Sequence, residues 1–190
     1  MHTTPFTFQL PATGGIPSEY DSHTVRRLSS MPNMYLDADA YAAQIAADPV
    51  LYEVYEIHRP HNSGELLHGV TVLHPGKIGA EYHMTKGHFH DVLETGEVYY
   101  CLSGQGMLVM ETPEGDTSVL PFNAGTVLYV LPRWAHRTVN ISATEPLIFF
   151  FVYPGHAGHN YGTIEQQGFR KLVVEMQGQP TVVDNPRWGG

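Results

Sequence analysis

His88-Phe89-His90 places two imidazoles two residues apart, and on extended backbone such a pair shares one face. A carboxylate and a third imidazole would complete a four-ligand metal site. Glu94 and Glu97 are the candidates for the carboxylate. Glu94 falls in a loop over 91–96, whereas Glu97 opens a strand, where side-chain direction is fixed, so Glu97 is favoured. For the third imidazole, His136 opens the strand that follows Pro132-Arg133-Trp134-Ala135. Three neutral imidazoles and one carboxylate suit a single divalent ion, Fe(II), Mn(II), Ni(II), Co(II) or Zn(II), with iron or manganese slightly favoured. Six-coordinate geometry leaves two positions open, room for two adjacent oxygens of a substrate. A lone His-x-His carries little weight; the full set carries much more.

Strands must position these groups. β-Branched and aromatic runs recur at Leu51–Ile57, Gly69–Leu73, Glu97–Leu102, Met107–Glu111, Thr126–Leu131, His136–Ile141 and Leu147–Tyr153. Ser103-Gly104-Gln105-Gly106 and Pro113-Glu114-Gly115-Asp116 supply glycine for hairpin turns. Many short strands with such punctuation predict an all-β fold, a closed barrel or two-sheet jelly roll with an interior cavity. One helix is expected over Ala38–Ala47, capped by Asp37 and ended by Pro49 behind Asp48. Phe169–Met176 reads as a possible strand and Gln177–Gly190 as an irregular extension.

The chain has 190 residues, and its formal charge of −9 argues against nucleic acid and anionic membranes as partners. The longest apolar run, Leu147–Tyr153, is too short to span a bilayer. The N-terminus lacks the pattern of a signal peptide. One cysteine, Cys101, excludes an internal disulfide and makes the cytoplasm the default compartment. Cys101 itself reads as a small buried hydrophobe. His2, His23, His58, His61, His68 and His74 read as surface or turn residues, and Trp134 and Trp188 as packing residues. A homodimer is expected, because jelly-roll strand edges are commonly covered by pairing.

Gly87-His88-Phe89-His90, then Glu97 and Gly104, resembles the first cupin motif; Gly125, His136 and Asn140 resemble the second. The resemblance implies a cupin double-stranded β-helix with one or a few short peripheral helices. Residues 1–190 would form a single domain, with an N-terminal extension of about 50 residues, including a helix near 37–48, packed on the barrel. Longer strings narrow the likeness: Thr71 to Lys77, Thr85-Lys86-Gly87-His88-Phe89-His90, Glu97-Val98-Tyr99, Trp134 to Asn140, Ala157 to Thr163 and Val183 to Trp188. These are similar to cupin-type glucose-6-phosphate isomerases, in order and without large insertions. The family's metal site falls on His88, His90, Glu97 and His136. Its sugar-phosphate contacts fall on Tyr52, Thr71, Thr85, Gly87 and Tyr161, and further pocket residues on Tyr99, Tyr153 and His159. Asn160 stands where an aspartate is common.

The resemblance implies interconversion of glucose 6-phosphate and fructose 6-phosphate. Glu97 is the natural group for moving a proton between C1 and C2, with Tyr99 or His159 serving the oxygen-bound protons. A metal-assisted hydride shift is the alternative route. Rival functions are a cupin dioxygenase using Fe(II) or Mn(II), and a non-enzymatic sugar- or metal-binding cupin. Strict strand alternation sets one further expectation. Thr85 and Gly87 lie on the opposite face from His88 unless the chain bends between them.

Overall fold

Among the described residues, thirteen short strands build the molecule. A computed structural model describes residues 4–11 and 14–188. The strands are β1 (Ser22–Arg27), β2 (Val50–Ile57), β3 (Leu66–Leu73), β4 (Lys77–Ile78), β5 (Glu81–Tyr82), β6 (Glu97–Ser103), β7 (Gln105–Glu111), β8 (Thr117–Asn123), β9 (Val127–Val130), β10 (Ala135–Asn140), β11 (Leu147–Pro154), β12 (Lys171–Met176) and β13 (Gln179–Asp184). Two short helices, α1 (Ala38–Gln44) and α2 (Gly162–Gln167), lie outside them.

Every paired neighbour runs antiparallel. The largest sheet has the order β1-β2-β3-β11-β6-β9, and a second has β10-β7-β8. The third, β13-β12-β5-β4, closes one side. The core lies between the sheets, where Leu108, Phe122, Leu147 and Phe149 are almost wholly excluded from water. This is the all-β barrel that the strand pattern predicts.

The register of the large sheet lays out the floor of the interior. Across β1, β2, β3 and β11 the row Thr24–Val54–Thr71–Phe149 runs side by side, and the next row holds Glu56, Gly69, Phe151 and Tyr99. Residues two apart on one strand share that face, so polar groups distant in sequence become neighbours.

Four expectations need correction. The turn at 103–106 is no hairpin: β6 and β7 belong to different sheets, and Gly104 (φ +90°) carries the chain between them. A Cβ there would lie 2.4 Å from the Pro146 carbonyl oxygen. The tail is not irregular throughout, since β12 and β13 pair across Gln177 (φ +53°) and Gly178 (φ +76°). Two positive φ values in a two-residue turn match the right-handed strand twist. Pro180 is tolerated because β13 is an edge strand. The helix does begin at the Asp37 cap, whose Oδ1 accepts from the Ala40 N–H at 2.8 Å, but it ends at Gln44. Asp48, ahead of Pro49, sits at φ +41°, and its carboxylate accepts from Ser29. Finally, His88–His90 is not continuous strand. Two isolated bridges hold it, His88 to His136 and Phe89 to Asn160.

Cys101 is fully buried, and burial pushes its thiol up to about 11. His23 and His74 lie at the surface and both bind Glu53, at 2.6 and 2.9 Å. His2 and the last two residues, 189 and 190, lie outside the described residues. No helix among the described residues is long and apolar enough to cross a membrane.

Candidate active site

The segment from Met84 to His90 is stapled to β10. Met84 bridges Val139, His88 bridges His136, and the Thr85 N–H donates to the Thr138 carbonyl at 2.9 Å. Buried Arg137 reaches across and donates to the Lys86 carbonyl at 2.6 Å. Between them Gly87 adopts φ +74°. That left-handed residue breaks strand alternation and lets Thr85, Gly87 and His88 reach one cavity. Glycine is required for a second reason: a Cβ there would stand 2.6 Å from the Phe169 ring and 2.9 Å from the His136 carbonyl oxygen.

The four expected ligands come together. One nitrogen or oxygen from each of His88, His90, Glu97 and His136 lies within 4.8 Å of the others. The Glu97 Oε2 is 3.3 Å from His90 Nε2 and 2.9 Å from His136 Nε2. Their orientation is set from behind. His90 Nδ1 lies 2.8 Å from Thr95 Oγ1, whose own hydroxyl donates to the Val92 carbonyl at 2.6 Å, so the imidazole is the donor. His136 Nδ1 faces the Trp134 carbonyl at 3.3 Å. Protons held on Nδ1 leave the Nε2 lone pairs aimed at the common centre.

These groups fit a metal ion. The buried Nε2 atoms of His88 and His136 have no aligned hydrogen-bond partner, a costly state for polar atoms unless something else satisfies them. Burial and the neighbouring imidazoles hold His88 well below its ordinary pKa, keeping it neutral as a ligand must be. Burial pushes the Glu97 carboxyl up, but His136 and His90 outweigh it and the net direction is down. Glu94, in contrast, points outward; its side chain is 73% exposed and sits 3.4 Å from Arg133. Of the two carboxylates, Glu97 is the one that faces the imidazole cluster.

A cavity of about 170 Å³ opens beside this cluster. His88, Glu97 and His136 line it, while His90 sits behind them, buried. All eight expected substrate residues line it as well: Tyr52, Thr71, Thr85, Gly87, Tyr99, Tyr153, His159 and Tyr161. The His159 ring packs edge-on against His88, centroids 4.2 Å apart, and stacks on Tyr161 at 6.1 Å. Burial lowers the His159 pKa and raises those of Tyr99, Tyr153 and Tyr161, so all four are neutral at pH 7. Asn160 points elsewhere: its Oδ1 accepts from the Gly162 N–H at 3.1 Å.

Six lining residues were missing from the expected set: Thr24, Arg26, Val54, Glu56, Phe149 and Phe151. Lys86 also lines it and is ion-paired with Glu165 of α2. The signal for the first two was available. Ser22, Thr24 and Arg26 alternate with His23, Val25 and Arg27, but so polar a run does not read as a strand.

Known proteins add the identity of the family. The family model for glucose-6-phosphate isomerase matches residues 25–187. The glucose-6-phosphate isomerase of Thermococcus kodakarensis is 48% identical over 176 residues, covering 93% of this chain and 92% of that protein. That of Pyrococcus furiosus is 47% identical over 189 residues, 99% of each. A putative glucose-6-phosphate isomerase of Rhizobium meliloti is 37% identical, covering 86% of this chain and 78% of that one. The chain belongs to the glucose-6-phosphate isomerase family, in its cupin-type branch.

Proposed function

We propose that the cavity binds the open-chain form of a hexose 6-phosphate and that Glu97 carries a proton between C1 and C2. The chain is on this basis an aldose–ketose isomerase interconverting glucose 6-phosphate and fructose 6-phosphate. One observation carries the assignment: a buried carboxylate within an imidazole cluster shares its cavity with a separate bank of hydroxyls, matching a substrate with a reactive end and a phosphate end.

His88, His90, Glu97 and His136 would hold one divalent ion, iron or manganese being favoured by the donor set. Bound there, it supplies Lewis-acid polarisation of the substrate carbonyl. The remaining work falls to the chain itself. Glu97 takes the proton from C2 of the aldose; the C2–H electron pair becomes the C1–C2 double bond while the carbonyl π pair moves onto O1, giving a cis-enediolate. Glu97 then returns the proton to C1, giving the ketose. The oxygen-bound proton moves from O2 to O1 through His159, which is neutral and can accept and donate. Tyr99, held protonated, serves as a hydrogen-bond donor to the substrate oxygens. Tyr52, Thr71, Thr85, Tyr161 and the Gly87 N–H hold the phosphate, and Tyr153 closes the wall.

The test is a metal-loaded assay with fructose 6-phosphate, coupled to detection of glucose 6-phosphate and repeated in D₂O. Deuterium at C2 of the product supports proton transfer through Glu97. Complete retention of the substrate hydrogen, with no internal return, would replace it by a hydride shift.

A homodimer in the cytoplasm belongs to the same proposal. Supporting it, Val98 and Tyr100 of β6 pair with Tyr129 and Val127 of β9, and all four side chains are exposed. An apolar strip of this kind at a sheet edge fits burial against a second copy. Light scattering on the purified protein checks the oligomeric state.

A further inference from the structure

Tyr52, Thr71, Thr85, Gly87 and Tyr161 are all neutral donors, whereas a phosphate monoester carries nearly two negative charges at pH 7. Two cations line the cavity, Arg26 and Lys86. The charge of Lys86 is already answered by Glu165, and its ammonium lies over the Tyr161 ring at 4.6 Å. Arg26 differs: among the described residues it has no ion-pair partner.

Its position is built. On β1 the half-buried residues Ser22, Thr24 and Arg26 face inward, and His23, Val25 and Arg27 face water. Arg26 lies opposite Tyr52, but Arg27 lies opposite Val50, so the register slips immediately after Arg26. A bulge at that point re-aims the flanking side chain. Arg26 lines the cavity together with Tyr52 and Tyr161, and its charge lowers the phenol pKa of both against the larger upward push of burial. The Tyr52 hydroxyl in turn accepts from the Lys86 N–H at 3.5 Å. Arg26, Tyr52 and the Thr85–Gly87 segment therefore meet at one end of the cavity. At the other end of the same face stands Glu56, four residues along β2 from Tyr52, roughly 13 Å at the rise of a strand.

We propose that Arg26 is the charged anchor of the substrate phosphate, which makes the edge strand β1 part of the substrate site. This inference rests on the phosphosugar reading of the cavity. A guanidinium offers two parallel N–H groups that match two phosphate oxygens, an arrangement an ammonium cannot reproduce. Glu56 disfavours a dianion at the opposite end, so the two charges together fix which way round the substrate lies.

The experiment compares wild type, Arg26→Gln and Arg26→Lys as metal-loaded proteins. Each is assayed with fructose 6-phosphate and separately titrated with inorganic phosphate by calorimetry. Arg26→Gln is expected to raise KM by about tenfold or more, to leave kcat within about threefold, and to weaken phosphate binding in parallel. Arg26→Lys is expected to recover part of both losses. Unchanged KM and phosphate affinity in a folded Arg26→Gln protein would overturn the proposal, as would a loss confined to kcat. Should Arg26→Gln fail to fold, equal affinity of Arg26→Lys and wild type for phosphate overturns the forked contact. A wild type that binds phosphate but does not isomerise fructose 6-phosphate defeats the isomerase reading alone. The phosphate titration then still judges Arg26.

Discussion

The two ends of the cavity are built on opposite principles. At the metal end, His90, Glu97 and His136 are each no more than 4% exposed, and their orientation is fixed by Thr95 and by the Trp134 carbonyl behind them. The proposed phosphate end is assembled from β1, β2, β3, the Thr85–Gly87 segment and Tyr161; Tyr52 and Thr71 there are buried, but Arg26, Thr85 and Tyr161 are only half-buried. A dry cluster strengthens electrostatics, as proton abstraction from carbon requires. A wetter, composite surface can release a charged product. On the proposed reading the contrast separates chemistry from recognition along one face, and substitutions at each end should leave different kinetic signatures.

The largest expected effect belongs to Glu97→Gln, which removes both the proposed base and one of the four proposed metal ligands and leaves the other end of the cavity intact. Turnover should fall by roughly 10²- to 10⁴-fold with little change in KM, while Glu94→Gln stays within about twofold of wild type. Equal, mild losses from both variants in steady-state assays would erase the distinction between the two ends. Removal of metal by chelation, verified by elemental analysis, should abolish most activity, and Fe(II) or Mn(II) should restore it. It should also lower the thermal midpoint, because the buried His88 Nε2, which has no hydrogen-bond partner, loses the ion that would satisfy it.

Gly87→Ala tests the hinge between the two ends. Left-handed backbone and a clash with Phe169 together should cost about 2–4 kcal/mol in denaturant unfolding and displace both Thr85 and His88. Thr71→Val removes one neutral donor from the phosphate end, so KM should rise about five- to tenfold with kcat nearly unchanged.

The smallest effect is one of pH on stability. Glu53 sits on the outer face of β2, behind the phosphate end, binding His23 of β1 and His74 beyond β3. Burial pushes its carboxyl up, but hydrogen bonds from His74, Tyr55 and His23 outweigh this and the net direction is down. A folded-state pKa below the unfolded one contributes stability above the unfolded carboxylate pKa, lost as pH falls through the folded value. Melting curves of Glu53→Gln should therefore converge on wild type in acid and fall below it near neutrality.

The metal end was readable because its evidence is local. His88-Phe89-His90 occupies three successive positions, and the loop before Glu97 is short enough to bring the carboxylate back to the same place. Arg26 was not legible in this way, because Ser22–Arg27 carries no β-branched run and acquires its strand only by pairing with β2. The β12–β13 turn escaped notice for a related reason: Gln177 accepts a positive φ here, although the turn chemistry normally asks for asparagine or aspartate. Glu165 reaches Lys86 only after α2 folds across the cavity wall.

By themselves, residue type and short spacing determined the all-β class and a candidate His–Glu ligand set, since they dictate donor chemistry and strand period; the neutral donors proposed for the phosphate came from the family resemblance. The tertiary structure decided which charges join the cavity, where the chain bends at Gly87, and which sheet each strand enters. Those outcomes depend on contacts between segments tens of residues apart, and they were settled by packing and register rather than by local preference.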